Sequence, residues 1–428
     1  MALDRLTPPE IKQFGDLSVP PARVLTLNNG IKLTVVDQGE QEVNRLTISW
    51  EGGANDVVSL STLKLASDLM REGTTYHSGA EIAETLDYNG SWLKCCYNSH
   101  FTSQVIHSLN SRVEEVFPTM VEIISEPTFP TKEFEVLRDK MASRKQVEME
   151  RVTYYANRDS HQLLYGENHP TSVDETPDMI RTITREDVAK MHADLTATST
   201  CELFLAGRIT PQIEDMVNRT FGAIKNNSNG LAQRVVPMRP SGKRKIVTAR
   251  PGALQSAVVM GIPTIMRSHP DYIELRLAVM ALGGYFGSRL MSNIREDKGY
   301  TYGISASLLG NWEGSAITIN SQCDNRYVEP LIGETRKEIS RLASELMEAD
   351  ELERMRQFAM TSLAATLDSP FSIMDYYENM RVVQTPHDYF ARQLQAIKSL
   401  SPQRIAYLAE KYMLLDEMRI AVAGDLAE

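Results

Sequence analysis

Several features are scarce in this 428-residue sequence, and each shortage excludes a class of protein. The only cysteines are Cys95, Cys96, Cys201 and Cys323, and their spacing fits neither a disulfide framework nor a cysteine metal site. No stretch approaches the roughly 18 apolar residues of a membrane-spanning helix. Acidic residues outnumber basic ones by 56 to 45, and the net charge of −11 argues against a general nucleic-acid binder, which needs a basic face.

The overall composition is that of a globular protein with more than one domain. Hydrophobic residues make up 42% of the chain and charged residues 24%, which is typical of a folded protein and not of a disordered one. Residues 1–20 form a charged, proline-bearing N-terminal arm without the apolar segment of a signal peptide. We therefore expect a cytoplasmic protein of at least two domains.

The sequence contains an internal duplication. A Ser/Thr helix cap opens a similar segment twice, and a strand ending in Ala-Gly follows each copy. The matching residues are Thr184 with Ser401 and Gly207 with Gly424, each pair 217 positions apart, and Glu133 with Glu351, which are 218 apart. Three matches in one order at a nearly constant offset predict two similar lobes.

The predicted organisation is an N-terminal lobe at 21–225, a polar Gly/Pro-bearing linker at 226–242 and a C-terminal lobe at 243–428. Strand patterns cluster instead of alternating strictly with helix patterns, which favours an α+β fold in which each lobe packs helices against an antiparallel-rich sheet. The predicted strands are 31–36, 43–50, 91–107, 254–262, 302–309 and 315–322, and the predicted helices are 59–72, 80–88, 113–125, 273–282 and 327–342.

The most specific motif lies between Gly287 and Tyr302 and reads Gly-Ser-Arg-Leu-Met-Ser-Asn-Ile-Arg-Glu-Asp-Lys-Gly-Tyr-Thr-Tyr. It resembles the arginine/tyrosine segment of the pitrilysin and mitochondrial-processing-peptidase family, the inverted zincins, in which these two residues stand seven positions apart. Arg295 and Tyr302 have that spacing. The resemblance covers nearly the whole chain and implies half of a clamshell. The family's metal motif, His-x-x-Glu-His, does not occur in this sequence.

The resemblance also implies which residues stand at the positions of the family's metal ligands. Counting back from Gly73-Thr74, the two ligand histidines and the general-base glutamate fall on Lys64, Asp68 and Ser67, respectively, and the third ligand falls near Arg144 or Lys145. Catalytic zinc needs three imidazole or carboxylate ligands, so we predict no zinc and no hydrolysis at this position. A misaligned helix with a metal site elsewhere stays open, although the eight histidines include no pair at helical i, i+4 spacing.

Arg295 and Tyr302 have a chemical use in peptide cleavage. A peptide carbonyl under attack develops negative charge, and a guanidinium and a phenol are donors that stabilise it. The resemblance implies that the pair faces a zinc ion held by another lobe, and that Gly283, Gly284 and Gly287 form a flexible substrate loop. The alternatives are a surface ion pair of Arg295 with neighbouring acidic residues, a half-buried strand tyrosine, and a glycine helix end followed by a turn.

Together these features predict a non-catalytic, substrate-binding subunit of a heterodimeric zinc endopeptidase. Its partner would be a zinc-bearing chain of similar size, and its substrates would be peptides or unfolded segments. The chain itself would hold no cofactor. Residues 90–100 are a candidate sheet edge for adding a peptide strand. The alternatives are a metal-free homodimeric peptide-binding protein and a structural pseudo-peptidase. No interaction with a membrane or with nucleic acid is expected.

Overall fold

The computed structural model describes residues 17–197, 200–225 and 231–426. Within these residues the N-terminal lobe forms a six-stranded sheet with the strand order β1-β2-β6-β3-β5-β4. Its strands are β1 (Arg23–Thr26), β2 (Lys32–Asp37), β3 (Val43–Glu51), β4 (Trp92–Tyr97), β5 (Phe101–Leu109) and β6 (Cys201–Gly207). Its helices are α1 (Leu60–Leu69), α2 (Gly79–Tyr88), α3 (Val113–Ser125), α4 (Thr131–Glu148), α5 (Val152–Tyr165), α6 (Pro177–Arg181), α7 (Arg185–Leu195) and α8 (Pro211–Thr220).

The described part of the C-terminal lobe forms a five-stranded sheet with the order β7-β11-β8-β10-β9. Its strands are β7 (Lys245–Ala249), β8 (Gln255–Pro263), β9 (Thr301–Gly310), β10 (Ser315–Asp324) and β11 (Arg419–Gly424). Its helices are α9 (Tyr272–Val279), α10 (Val328–Ser344), α11 (Ala349–Ala364), α12 (Pro370–Val383), α13 (Tyr389–Ser399) and α14 (Pro402–Tyr412). Two π-helical segments, Met280–Gly284 and Met291–Asp297, lie between α9 and β9.

The two sheets have the same topology, which confirms the predicted fold class. Without the additional strand β1, the first sheet reads β2-β6-β3-β5-β4, and each strand has its counterpart in the second sheet. In both sheets the final strand pairs in parallel with the first of these strands, and the other neighbours are antiparallel. Thr184 and Ser401 cap α7 and α14 by accepting a hydrogen bond from a backbone N–H three residues later. The 217-residue repeat is therefore a repeat of folded units.

Each lobe gives one helix to the sheet of the other lobe. Helix α5 packs against the second sheet, where Ala156 and Leu163 join a buried cluster with Val259 and Ala421. Helix α12 packs against the first sheet, where Ile373 and Met374 join Val36, Phe204 and Ala206. Burial of this apolar surface fastens the lobes together, since hydrophobic stabilisation scales with the area removed from water.

The described part of the predicted linker is hydrogen-bonded to both lobes. The backbone N–H of Arg234 donates to Asp56, and that of Met238 donates to the backbone oxygen of Glu313. Residues 226–230 and 1–16 of the predicted linker and arm lie outside the described residues. At the end of the arm, the hydroxyl of Tyr377 on α12 donates to the backbone oxygen of Pro20. The lobe boundaries stay a prediction, and packing crosses them.

A buried ion cluster also joins the lobes. His100 Nδ1 lies 3.2 Å from Asp56 Oδ2, and His100 Nε2 lies 2.7 Å from Glu313 Oε1, which belongs to the β9–β10 turn. The imidazole stacks on Trp312, with ring centroids 4.2 Å apart. Burial lowers the pKa of His100, but the hydrogen bonds to Asp56 and Glu313 outweigh it and raise that pKa to about 9. At neutral pH this site therefore holds an imidazolium between two carboxylates.

Two local predictions need correction. The stretch 91–107 is two strands, β4 and β5, because residues 98–100 make a turn in which Asn98 accepts hydrogen bonds from the backbone N–H groups of His100 and Phe101. The helix predicted at 273–282 ends as an α-helix at Val279 and continues as a π-helical segment. Across the described ranges, the helices lack the combination of length and apolarity that crossing a bilayer requires.

Candidate functional site

Helix α1 carries the positions predicted to replace the metal ligands. Ser59 caps its first turn by accepting a hydrogen bond from the Thr62 backbone N–H, and the helix and its last 3₁₀ turn end before Gly73, as predicted. Lys64 and Asp68 are one helical turn apart and therefore share a face, while Ser67 is 3% exposed. The backbone oxygen of Ser67 accepts a hydrogen bond from the amide of Gln104 on β5, which holds the helix against the sheet.

The structure brings these positions together with the predicted third-ligand region. A cavity of about 610 Å³ is lined by Lys64 and Asp68 from α1 and by Arg144, Lys145 and Glu148 from α4. Glu150, the other nearby glutamate, instead pairs with Arg250, with 3.3 Å between Nη2 and Oε2. Of the residues predicted to replace the family's metal site, Lys64, Asp68 and the pair at 144–145 therefore line one cavity, whereas Ser67 does not.

The charges around this cavity are mixed. The ammonium of Lys64 lies 5.2 Å from the centre of the Tyr97 ring on β4, a cation–π contact. Lys145 forms an ion pair with Asp174 at 3.0 Å. Burial raises the pKa of Asp68, and the positive charges of Arg71, Lys64 and Arg144 oppose that rise. The carboxyl group of Asp68 is thus surrounded by cations.

These residues do not fit a catalytic zinc ion. A protonated lysine has no lone pair to donate to a metal, and a serine hydroxyl is neither the imidazole nor the carboxylate that zinc sites use. Asp68 is then the one carboxylate among the three α1 positions. Across the described residues, histidine, cysteine and carboxylate side chains do not converge in threes as metal ligands would. The arrangement is a cavity of mixed polar and apolar lining at the predicted position of the degenerate metal site.

Arg295 occupies a π-helical segment close to an exposed aromatic ring. Its Nε donates a hydrogen bond to the backbone oxygen of Tyr302 at 3.1 Å, and its guanidinium lies 4.8 Å from the centre of the Phe286 ring. Within the described part of the chain it makes no ion pair with Glu296 or Asp297, so the surface salt bridge considered above does not form. The first contact couples the position of the arginine to that of the tyrosine backbone.

Tyr302 lies in a β-bulge at the start of β9. Strand β9 has one more residue than β10 between the pairs Ser321–Ile304 and Cys323–Thr301. Bulges redirect side chains and are common beside active sites. The Tyr302 side chain is 93% exposed, unlike the half-buried strand tyrosine considered above. The hydroxyls of Thr301 and Ser321 fix the bulge, since they donate to the backbone oxygens of Gln322 and Gly303 at 2.6 and 3.0 Å.

Supporting contacts hold the arginine segment in place. The Asn293 amide donates to Glu334 and Glu338 on α10, at 3.0 and 2.5 Å. Gly283 lies against β9 so closely that a Cβ there would be 2.6 Å from the Cβ of Ala306. This glycine therefore permits close packing behind the site, in contrast to the flexible loop implied for Gly283, Gly284 and Gly287.

The two candidate regions are separate within this chain. Tyr302 lines a cavity of about 310 Å³ beside Gln255, Asn320 and Asn157 of α5, and this cavity shares no lining residue with the one around Lys64. Helix α5 contributes to both, through Asn157 to the first and His161 to the second. Arg295 and Tyr302 therefore do not complete the degenerate site of their own chain.

Sequence reasoning missed the residues that position this pair. Thr301, Ser321 and Asn293 make the contacts that fix it, and the ion cluster of His100 was not foreseen. The one available signal was Thr301-Tyr302-Gly303, because a glycine in a strand pattern indicates a bulge or a close approach.

Comparisons with known proteins agree with this geometry. Residues 182–358, which include Arg295 and Tyr302, match the family described as the peptidase M16 inactive domain. The chain is 20% identical over 356 residues to an uncharacterized zinc protease, YmxG, of Bacillus subtilis, covering 81% of this chain and 84% of that one. It is 19% identical over 381 residues to a non-peptidase homolog, YmxG, of Helicobacter pylori, covering 87% of each chain.

Among solved structures, the chain resembles that of a peptidase M16 inactive domain from Pseudomonas fluorescens. The TM-score is 0.85 at 20% sequence identity, and the match covers 95% of this chain and 98% of the other, so the fold is shared over nearly the full length. The recognition made from the sequence is confirmed as a similarity: residues 182–358 match the peptidase M16 inactive domain, and the chain resembles M16-type proteins in sequence and in fold.

Proposed function

We propose that this chain is the non-catalytic, substrate-binding subunit of a heterodimeric zinc endopeptidase. It supplies Arg295 and Tyr302 to a zinc site carried by a partner chain of similar size, and the substrates are peptides or unfolded segments. The observation that carries the proposal is the exposed Tyr302 in a fixed bulge, 93% open to solvent and joined through its backbone oxygen to Arg295.

The separation of the two regions supports this role. A donor pair that stabilises a developing oxyanion must lie about 3 Å from it, beside the attacking nucleophile. In the described part of this chain, the side chains around the Lys64 cavity form no group of three that could hold a metal ion, and the arginine/tyrosine pair does not line that cavity. The proposal therefore assigns the zinc to a second chain, and in some members of the M16 family an inactive subunit pairs with a catalytic one.

A free sheet edge supports the proposal of a peptide substrate. Strand β4 is an edge strand of the first sheet. One of its exposed residues is Trp92, which is 58% exposed to solvent. An extended peptide can add to such an edge through backbone hydrogen bonds, as in other β-augmentation complexes. Folded substrates lack a free extended segment and are expected to be cleaved poorly.

The test is reconstitution. This chain and a homologous chain with an intact His-x-x-Glu-His motif are purified separately and mixed, and cleavage of a fluorogenic peptide is measured. We expect activity only in the mixture, and Arg295→Ala should lower kcat/KM about 10²-fold, the effect of one lost oxyanion-type donor. The matched control is Arg336→Ala, which changes an exposed arginine on α10 and should leave kcat/KM unchanged.

Two results would contradict the proposal. One is full activity of the Arg295→Ala mixture, which would remove this residue from the site. The other is chelator-sensitive cleavage by this chain alone, together with one tight zinc per chain in elemental analysis, which would mean that it holds its own metal.

The second candidate is a metal-free homodimeric peptide-binding protein or structural pseudo-peptidase. The Helicobacter pylori relative named a non-peptidase homolog favours it. A peptide that binds the isolated chain with the same affinity before and after addition of the zinc-bearing homologue, without cleavage in the mixture, would support this alternative over the heterodimer.

A further inference from the structure

A cavity of about 260 Å³ lies between helices of the C-terminal lobe, away from both regions described above. Helices α9, α11, α12 and α13 surround it. Its lining differs from that of the cavity around Lys64, because Arg267 and Arg276 line it and no acidic side chain does so among the described residues. In a chain of net charge −11, such a lining is a local reversal of the overall charge.

The two arginines are available to a ligand. Within the described part of the chain, neither makes an ion pair with a carboxylate. Arg267 is held in position because its Nη2 donates to the backbone oxygen of Gly310 at 3.2 Å and its guanidinium lies 5.2 Å from the centre of the Tyr272 ring. Its buried Nε has no hydrogen-bond partner among the described groups. A guanidinium fixed in this way suits a planar anion such as a carboxylate.

Buried polar side chains line the same cavity. Tyr389 is 6% exposed, and its hydroxyl is without a hydrogen-bond partner among the described residues. Gln393, one helical turn later on α13, is 7% exposed and also lines the cavity. Buried polar groups are nearly always paired in native proteins, so an unpaired hydroxyl at a cavity indicates a missing partner.

Part of the lining is apolar, and the volume of the cavity limits the size of an occupant. Ile273, Leu277, Leu363 and Ile397 form apolar wall. A cavity of about 150 Å³ holds one benzene molecule, so this one has space for about ten non-hydrogen atoms.

We propose that this cavity binds a small organic anion, a molecule of about ten non-hydrogen atoms that carries one carboxylate or phosphate group on an apolar body. Arg267 and Arg276 bind the anionic group, Tyr389 donates a hydrogen bond to it, and the apolar wall covers the body. The site does not depend on the proposed peptidase role.

The position of the site gives binding a structural consequence. Tyr376 and Asn379 line the cavity from α12, the helix that packs against the first sheet. A ligand would therefore connect α12 to the helices of its own lobe and should stabilise the folded chain in proportion to its occupancy.

The test uses small aromatic probes on the full chain, and the neutral probe benzamide has the same shape as benzoate. Benzoate, phenyl phosphate and the neutral benzamide are titrated up to 10 mM at constant ionic strength, with calorimetry and thermal unfolding as readouts. We expect benzoate or phenyl phosphate to bind and to raise the Tm, and benzamide to do neither. Binding of benzoate alone identifies a carboxylate ligand, and binding of phenyl phosphate alone identifies a phosphate ligand.

Variants connect binding to the cavity. Arg276→Gln should weaken the Kd of the bound anion at least tenfold, Arg276→Lys should retain part of the affinity, and the exposed control Arg336→Gln should leave it unchanged. Should Arg276→Gln fail to fold, Tyr389→Phe replaces it, since it removes only the hydroxyl. Equal binding of benzoate and benzamide, binding by neither anion, or equal loss in the Arg336→Gln control would overturn the proposal.

Discussion

The two lobes share one strand order but place their candidate residues on different kinds of backbone. In the N-terminal lobe, the candidate residues Lys64 and Asp68 lie on a regular α-helix and face a cavity. In the C-terminal lobe, Arg295 and Tyr302 lie on a π-helical segment and a β-bulge and reach solvent. Both lobes keep the sheet, whereas in the described residues the π-helical segment and the bulge that carry Arg295 and Tyr302 belong to the C-terminal lobe.

The largest expected effect is on stability and concerns equivalent buried residues in the two sheets. Leu205 on β6 and Val422 on β11 are 217 positions apart, and both are fully buried. Leu205→Ala should lower the free energy of unfolding by about 2–5 kcal/mol, and Val422→Ala by less because it removes one carbon fewer. Because α5 and α12 are exchanged between lobes, both variants should shift the same main transition in urea unfolding followed by tryptophan fluorescence and circular dichroism. Two transitions, each moved by one variant, would mean that the lobes unfold independently.

A second effect tests the ion cluster between the lobes. His100→Gln leaves Asp56 and Glu313 buried without their cation and should cost about 3 kcal/mol at pH 7. The folded-state pKa of His100, about 9, is above the ordinary value of 6.5, so its contribution is complete below pH 6.5 and is lost as the pH rises through 9. The stability difference between wild type and variant should therefore shrink between pH 7 and pH 10. The control is His387→Gln, at an exposed histidine, and a pH-independent difference for His100→Gln would contradict the assignment.

A third prediction compares the same chemical change in both regions. In the reconstituted complex, Tyr302→Phe removes a hydroxyl donor and should lower kcat/KM by about 10²-fold, or about 2.7 kcal/mol. Tyr97→Phe, in the cavity around Lys64, should leave kcat/KM unchanged, because it removes only a hydroxyl, whereas addition of a peptide to β4 would use backbone hydrogen bonds. Equal losses would place both cavities in the catalytic path.

The smallest effect compares the two equivalent helix caps. Thr184→Ala and Ser401→Ala should each lower the free energy of unfolding by about 1 kcal/mol. The loss should be larger at Thr184, because its hydroxyl also donates a hydrogen bond to the Asp187 carboxylate at 2.7 Å, whereas Ser401 has Arg404 at the equivalent position. Equal losses in chemical denaturation would show that this additional bond contributes little.

Local patterns predicted the repeat, most elements and the positions of the candidate residues. Helix α1 and its end at Gly73, and the strands around 43–51 and 315–324, follow from apolar spacing and turn residues, which are local properties. The bulge at Tyr302 depends on hydrogen bonds from Ser321, which is distant in sequence. The exchange of α5 and α12 could not be predicted, because an apolar stripe such as that of Ala156 and Leu163 does not specify which sheet covers it.

The same exchange limits how this polypeptide can be divided. A fragment ending near residue 225 would keep α5 without the sheet that covers it and would leave the apolar surface of Val36 and Phe204 bare. Nicking the backbone between the halves should thus yield two pieces that co-elute under native conditions, and recombinant expression of either piece alone should give insoluble material. We therefore expect the two duplicated halves to fold only together.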